Sequence, residues 1–336
     1  MQVSDFYYDL PDELIAQEPL AERGASRMLA ISREKGSFRD DEFRNFSRYV
    51  RPGDCLILND TRVFPARLRG RRNSRAGAEV EVFLLRAQNE GETIWKCLLK
   101  PGKRVRAGDR IIFEGELSGE VLSTGEFGER TVRFEAARLL QEMGETPLPP
   151  YIHRRPSAAD RERYQTVFAA KTGSAAAPTA GLHFTPEMLA ECRAAGAAIA
   201  HVTLHIGLGT FAPLRGEKLN EIRLHEEYFE IAESEARSIR EATRRFCVGT
   251  TSVRTVETAM LRGGLQAMRG ETNLFIYPGF HFRGTDAMLT NFHLPQSSLL
   301  MLVSAFAGKD LTLAAYRHAV AAKYRFFSYG DCMVIE

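Results

Sequence analysis

Two histidines and a threonine alternate in "HVTLHI". At the two-residue period of a strand, His201, Thr203 and His205 share one face while Val202, Leu204 and Ile206 take the other. Imidazoles on the polar face of a strand suit proton transfer. They equally suit a half-exposed edge strand whose histidines are hydrogen-bonded. A metal is served less well: the spacing of His201 and His205 matches a helical site, but the glutamate of His-Glu-x-x-His is missing and the segment is β-branched. "LHEEYFEI" adds His225, Glu226 and Glu227, either an acid/base cluster or the solvated start of a strand. "GTTSVRT" places Thr250, Thr251 and Ser252 at a helix start, where free N–H groups and the helix dipole favour an anion. Arg254 stands in the same first turn, where the dipole disfavours a cation, so a ligand carboxylate or phosphate would account for it. "TNFHLPQSS" sets Asn291, His293 and two serines directly before an apolar run, 299–306.

"HIGLGTFAP" contains Gly207-x-Gly209-x-x-Ala212 after a strand, formally a dinucleotide fingerprint. The required helix does not follow, because Pro213 and a loop intervene. What remains is a glycine loop, Gly207 and Gly209 with Thr210 beside them, that lets the backbone approach a ligand closely. "LILNDTRVFPARL" runs from a strand into Asn59, Asp60, Thr61 and Arg62; an Asn-Asp turn explains the first two. Arg62 and Arg67 lead into "RLRGRRNSR", with five arginines in nine residues. Arg62, Arg67, Arg69, Arg71, Arg72 and Lys100, together with Lys103, Arg104 and Arg106, could track phosphates; the competing reading is an ordinary solvated loop.

These residues need a scaffold, and the length of 336 residues points to two domains or to one large domain with an insertion. Closely spaced short strands in "AEVEVFLLRA", "ETIWKCLLK", "GDRIIFEGELSGEVLS" and "ERTVRFEA" mark 67–149 as an inserted small antiparallel β-barrel. The remainder, 1–66 and 150–336, reads as a large α/β domain with parallel strands in a barrel-like or open sheet. Three strand-loop-helix units carry that reading. Thr185 is an N-cap with Pro186 at the first helical position and Gly196 as the stop, followed by a strand at 199–206. In the second, an apolar strand enters Gly249, Thr251 or Ser252 caps a helix, and Gly263 closes it. In the third, "MLTNFHLP" is a strand, Ser297 or Ser298 a cap, and Gly308 the end of an apolar helix. Ligands in such sheets gather at the carboxyl ends of the strands.

The apolar run is too short for a bilayer, which needs about 20 consecutive apolar residues. The first 22 residues hold six acids and no base, without the apolar centre of a signal peptide. Five scattered cysteines without a Cys-x-x-Cys pair fit reduced thiols. The expectation is a soluble, cytoplasmic protein with no membrane contact. Net charge of +2 means that any nucleic-acid surface must be local.

Read together, the segments resemble the S-adenosylmethionine:tRNA ribosyltransferase-isomerases of queuosine biosynthesis. The carriers are "NDTRVFPARL", "PLPPYI", "YQTVFA", "APTAGLHFT", "VTLHIGLGTF", "VGTTSVRTVE", "IYPGF", "LTNFHLPQSSLLMLVSAFAG" and "YRFFSYGD", in that order along nearly the whole chain. One departure stands out: the family usually has Met-His-Ser-Glu where this chain reads "LHEE", so Glu226 replaces a serine and Glu227 is the matching acid.

The resemblance implies an α/β domain bearing a β-barrel, no metal and no cofactor, with S-adenosylmethionine consumed as a substrate. Its ribosyl part would move onto the aminomethyl group of a deazaguanine at the tRNA wobble position, with adenine and methionine leaving. Such a reaction needs a base for the proton beside the sulfonium and an acid for adenine. His205 is the first choice, with Glu227 and His183 in reserve. Phe211 and Tyr329 would face the sulfonium, and the Thr250–Thr251–Ser252 helix start with Arg254 would hold the methionine carboxylate. The expected partners are tRNA and S-adenosylmethionine, with the protein working as a monomer. Two alternatives remain at this stage: a metal-dependent hydrolase on a barrel-like fold, and a non-catalytic tRNA-binding protein.

Overall fold

The structure, a computed structural model, describes residues 1–73, 77–125, 128–207, 214 and 216–336. The chain divides into two compact units. One comprises 1–62, 149–154 and 162–336, the other 63–148 and 155–161.

The larger unit is built on a nine-stranded sheet. Its order is Met268–Thr272, Glu227–Ile231, Ala198–Leu204, Asp54–Asn59, Arg244–Val248, Ala287–Asn291, Cys332–Ile335, Arg27–Ser32 and Ser37–Glu42. The four strands from Ala198–Leu204 to Ala287–Asn291 pair in parallel. Cys332–Ile335 runs antiparallel to Ala287–Asn291, and antiparallel strands close both edges. The sheet is therefore mixed where a parallel one is expected from the repeating strand-helix units. The reason is local. Ser37–Glu42 returns from Arg27–Ser32 through a short turn, and no α-helix lies between Ala198–Leu204 and Glu227–Ile231 among the described residues, whereas parallel neighbours are usually joined by a helical crossover.

Strand alternation sorts the core onto the two faces of this sheet. In Asp54–Asn59, Cys55 and Ile57 enter one cluster with Val253 and Val256 of the helix Thr250–Leu261 and Leu300 to Val303 of the helix Ser298–Ala307. Leu56 and Leu58 enter the other, with Phe43, Phe46, Phe184 and Leu189. Every residue of Asp54–Asn59 is buried, as a strand covered on both faces should be.

The expected caps are partly observed. Thr185 accepts from Met188 N, with Pro186 opening the helix Pro186–Ala194. Ser297 accepts from Leu300 N and opens Ser298–Ala307, which ends at Gly308. The helix Thr250–Leu261 differs: its N-cap is Gly249, at a positive φ of +86° that favours glycine, and no side chain caps it. Thr251 and Ser252 already lie inside the first turn, and the Ser252 hydroxyl donates back to Val248 O at 2.8 Å. No single helix among the described residues is long and apolar enough to cross a membrane; Ser298–Ala307 meets Lys309–Ala321 at a bend of 117°.

The smaller unit is a closed antiparallel barrel, ordered Glu129–Glu135, Ile94–Lys100, Glu79–Ala87, Arg67–Arg72, Arg110–Ile112 and Ser118–Thr124. The arginine-rich segment is one of its strands rather than a loop. Leu68 and Gly70 face the interior and Arg67, Arg69 and Arg71 face outward. Period-2 alternation is hidden in the sequence because the inward residues are only one leucine and one glycine.

Candidate active site

The four parallel strands end at Asn59, Leu204, Val248 and Asn291. Near the last three of these ends lies a cavity of about 560 Å³. Its walls come from the helix start Gly249 to Thr251 with Arg254, from Glu227, from the loop Thr290 to Leu299, from Ala177 to Ala180, and from Tyr151 with Phe327 and Ser328. Val3 also contributes, so the N-terminal segment is part of the wall. Gln296 N donates to Phe6 O at 3.0 Å, and the Tyr8 hydroxyl donates to His293 O.

Arg254 and Glu227 form an ion pair almost without solvent, with side chains 7% and 4% exposed. Glu227 Oε1 also accepts from Gly207 N at 2.9 Å, and Arg254 Nε donates to Leu274 O at 3.1 Å. Arg254 Nη2 has no hydrogen-bond partner among the described residues. The pair ties the Glu227–Ile231 strand to the helix that follows Arg244–Val248, and it sets a negative and a positive group side by side in the cavity wall.

Burial governs the histidines. The His293 ring lies in the wall with Nε2 2.9 Å from Thr290 Oγ1, and burial pushes its pKa down to about 3. His183 bonds through Nδ1 to Ser26 Oγ and through Nε2 to Asn291 Nδ2, at 2.9 and 3.2 Å; burial holds it at about 4. Both rings are neutral near pH 7, and with pKa values that low both are poor proton acceptors. His205 sits past the end of Ala198–Leu204, with Nδ1 2.7 Å from Thr61 Oγ1. Its ring lies against Gly173, where a Cβ would come within 2.6 Å of Nε2, and stacks on Tyr228. Burial lowers its pKa as well.

Of the residues singled out from the sequence, the cavity brings together Glu227, Thr250, Thr251, Arg254, Asn291 and His293. Gly207 lies behind Glu227 in a small adjoining recess. Ser252, His205 and His183 are not part of the cavity wall. His183 reaches it only through Asn291, and Ser252 is turned to the backbone. Tyr329 is also away from it, packed edge-on against Tyr164 in a separate small recess with Arg23 and Arg163. Gly209, Thr210 and Phe211 lie outside the described residues. The sequence reading passed over Tyr151 and Phe327, whose rings stack at 4.4 Å in the wall. Phe327 has φ +73°, unusual for a bulky residue; its N–H donates to Phe292 O and its carbonyl accepts from Asn291 Nδ2. Tyr151 sits in "PLPPYI" and Phe327 in "YRFFSYGD", two motifs whose aromatic content was the available signal.

The barrel arginines are engaged with acids of their own unit. Arg67 and Arg69 face Glu81 at 3.7 and 3.8 Å, Arg69 also meets Glu145 at 3.1 Å, and Arg72 approaches Asp109 at 3.8 Å. Arg71 is the loosest, 3.9 Å from Glu79 with 73% of its side chain exposed. Arg62 and Lys100 are exposed.

A family model described as "Queuosine biosynthesis protein" matches residues 3–335. The chain belongs to that family. Relatives in it include a protein of Solibacter usitatus, 56% identical, and one of Caldanaerobacter subterraneus, 48% identical, each aligned over 100% of both chains. Both are named S-adenosylmethionine:tRNA ribosyltransferase-isomerase. Among solved structures, the S-adenosylmethionine tRNA ribosyltransferase of Thermotoga maritima is 39% identical, with a TM-score of 0.58 over 99% of this chain and 100% of that one. Family members at this identity over full length disfavour both alternatives, the metal-dependent hydrolase and the non-catalytic RNA-binding protein.

Proposed function

We propose that this chain is a transferase-isomerase that moves the ribosyl part of S-adenosylmethionine onto the aminomethyl group of a deazaguanine at the wobble position of tRNA, giving epoxyqueuosine with release of adenine and methionine. The observation that carries this is the family match over residues 3–335. The cavity is compatible with it: about 560 Å³ lies within the range of small-molecule sites, and its wall mixes stacked aromatics with an ion pair.

In this reading the methionine carboxylate lies at the uncapped helix start, against Thr250, Thr251 and Arg254. The Tyr151–Phe327 stack offers an apolar face to the adenine or the sulfonium. Glu227 takes first place for removing the proton beside the sulfonium, ahead of His205, because it stands in the cavity wall, where Arg254 and Gly207 N hold its carboxylate in place, and His205 does not. The tRNA backbone is assigned to Arg62, Arg67, Arg69, Arg71, Arg72 and Lys100, of which Arg71 is the most readily transferred from its carboxylate to a phosphate.

The deciding experiment is release of adenine from S-adenosylmethionine with and without tRNA carrying the aminomethyl-deazaguanine. Release that depends on that tRNA is expected. Its absence under saturating conditions would overturn the assignment.

A further inference from the structure

Three cavity-lining residues keep a buried polar atom without a hydrogen-bond partner among the described residues: Arg254 Nη2, Thr251 Oγ1 and Asn291 Oδ1. They differ in polarity. The guanidinium can only donate, the hydroxyl can do either, and the amide oxygen can only accept.

The orientation of Asn291 is fixed by what lies behind it. Its Nδ2 faces the Phe327 carbonyl at 2.9 Å, His183 Nε2 at 3.2 Å and, at a longer 3.4 Å, the Asp331 carbonyl. Turning the amide over would set its oxygen against two carbonyl oxygens, so Nδ2 stays inward and Oδ1 is the end left for another partner. The same contact fixes the tautomer of His183: Nε2 accepts from Asn291, so Nδ1 carries the proton and donates to Ser26 Oγ at 2.9 Å. Asn291 is 2% exposed and His183 4%, so neither amide nor ring exchanges these bonds for water. An orphaned acceptor in such a place costs stability that a ligand donor restores.

The placement of the three atoms adds to this. Val248 and Leu289 are partners across a parallel pair, and Gly249 N donates to Leu289 O at 2.7 Å. Beyond that point one chain turns into the helix start at Thr250 and the other ends its strand at Asn291. The donors and the acceptor thus leave the sheet from neighbouring strands, about 4.8 Å apart. A group that pairs an anion with an amine on a single carbon satisfies both at once.

We propose that Asn291 Oδ1 accepts a hydrogen bond from the α-ammonium of an amino-acid head whose carboxylate lies at the Thr251–Arg254 side, and that His183 is the positioning residue that holds the Asn291 amide for it. This rests on the reading of S-adenosylmethionine as the ligand and assigns which end of it enters deepest. His183 then acts through Asn291 rather than by taking a proton, in keeping with its neutral, buried ring.

The test measures affinities of the whole protein for S-adenosylmethionine, for the analogue lacking the α-amino group, and for the analogue with unsubstituted purine in place of adenine. Wild-type protein should prefer S-adenosylmethionine to the deamino analogue by about 10- to 100-fold, the worth of one hydrogen bond to a charged group. Asn291→Ala should bind both at the wild-type deamino level, while its affinity for the purine analogue falls by the same factor as its affinity for S-adenosylmethionine, the purine analogue losing the same contact. His183→Phe should lose most of the same ratio, and His183→Gln, which still offers an acceptor to Nδ2, should restore it. Because the readout is a ratio, a reduced folded fraction cancels, and the Asn291→Ala arm stands alone if His183→Phe does not fold. An unchanged deamino ratio in Asn291→Ala, a change confined to the purine ratio, or equal ratios in His183→Gln and His183→Phe each overturn the inference. Wild-type protein that does not bind S-adenosylmethionine at all overturns the parent reading with it.

Discussion

Arg71 with Glu79 on the barrel and Arg254 with Glu227 in the cavity wall are the same two functional groups in opposite circumstances. The barrel pair is held at 3.9 Å with side chains 73% and 87% exposed; the cavity pair is in direct contact and 7% and 4% exposed. An exposed pair contributes between about 0 and 1 kcal/mol and gives up its partner readily. In a buried pair the two charges stand or fall together, because loss of one strands the other in a poor solvent. The first arrangement suits a surface whose charges change partners when a polyanion arrives, the second a wall in which each charge holds the other in place.

The largest effect should come from Glu227→Ala, which leaves Arg254 buried without its anion: a loss of about 3–5 kcal/mol in urea unfolding, with adenine release abolished. A stability near wild type would show that the contrast between the pairs is one of exposure only. Next in size is the response to acid. His183 has a folded pKa lowered by burial from 6.5 to about 4, so the unfolded chain binds the extra proton. Its contribution is complete above about 6.5 and is lost as pH falls toward 4, a decline on the order of 3 kcal/mol in unfolding free energy. The sheet-bearing unit should therefore melt progressively earlier across that window, which calorimetry at pH 7.5, 5.5 and 4.5 would measure; a flat profile would mean that the ring is solvated.

Arg254→Lys keeps the charge but loses the planar fork. It should raise KM for S-adenosylmethionine about 10- to 100-fold while leaving that for tRNA little changed. A selective rise in the tRNA value would move Arg254 to the phosphate backbone. The smallest effect is expected for Arg71→Ala: less than about 0.5 kcal/mol of stability, but a slope of log K against log salt for tRNA reduced by about one unit. An unchanged slope after replacing Arg69, Arg71 and Arg72 together would remove the strand from the RNA surface.

How much of this is legible in the sequence depends on whether a residue's role is set by its neighbours in the chain. The caps at Thr185 and Ser297 and the alternation of Glu79–Ala87 are local, and they are read correctly. The strand Arg67–Arg72 is missed because only two of its residues face inward, and the mixed sheet because strand direction is decided by how a distant segment returns. In the site, "TTSVR" and "TNFH" declare themselves through polar residues at element ends. The bond of Arg254 to Glu227 spans 27 positions and that of His183 to Asn291 spans 108, so neither is expressed in any local pattern. Without those partners Arg254 reads as a free ligand for an anion and His183 as a base.

Finally, Val3 and Glu336 are both built into the larger unit. Val3 stands in the cavity wall, while Glu336 accepts from Arg244 Nη1 at 2.6 Å directly after Cys332–Ile335, a buried strand third from one edge of the sheet. A peptide joined before Val3 is tethered beside the cavity, and one joined after Glu336 pulls on a buried strand. For immobilisation or labelling, the exposed turn at Glu90 and Gly91 of the barrel is the sounder attachment point.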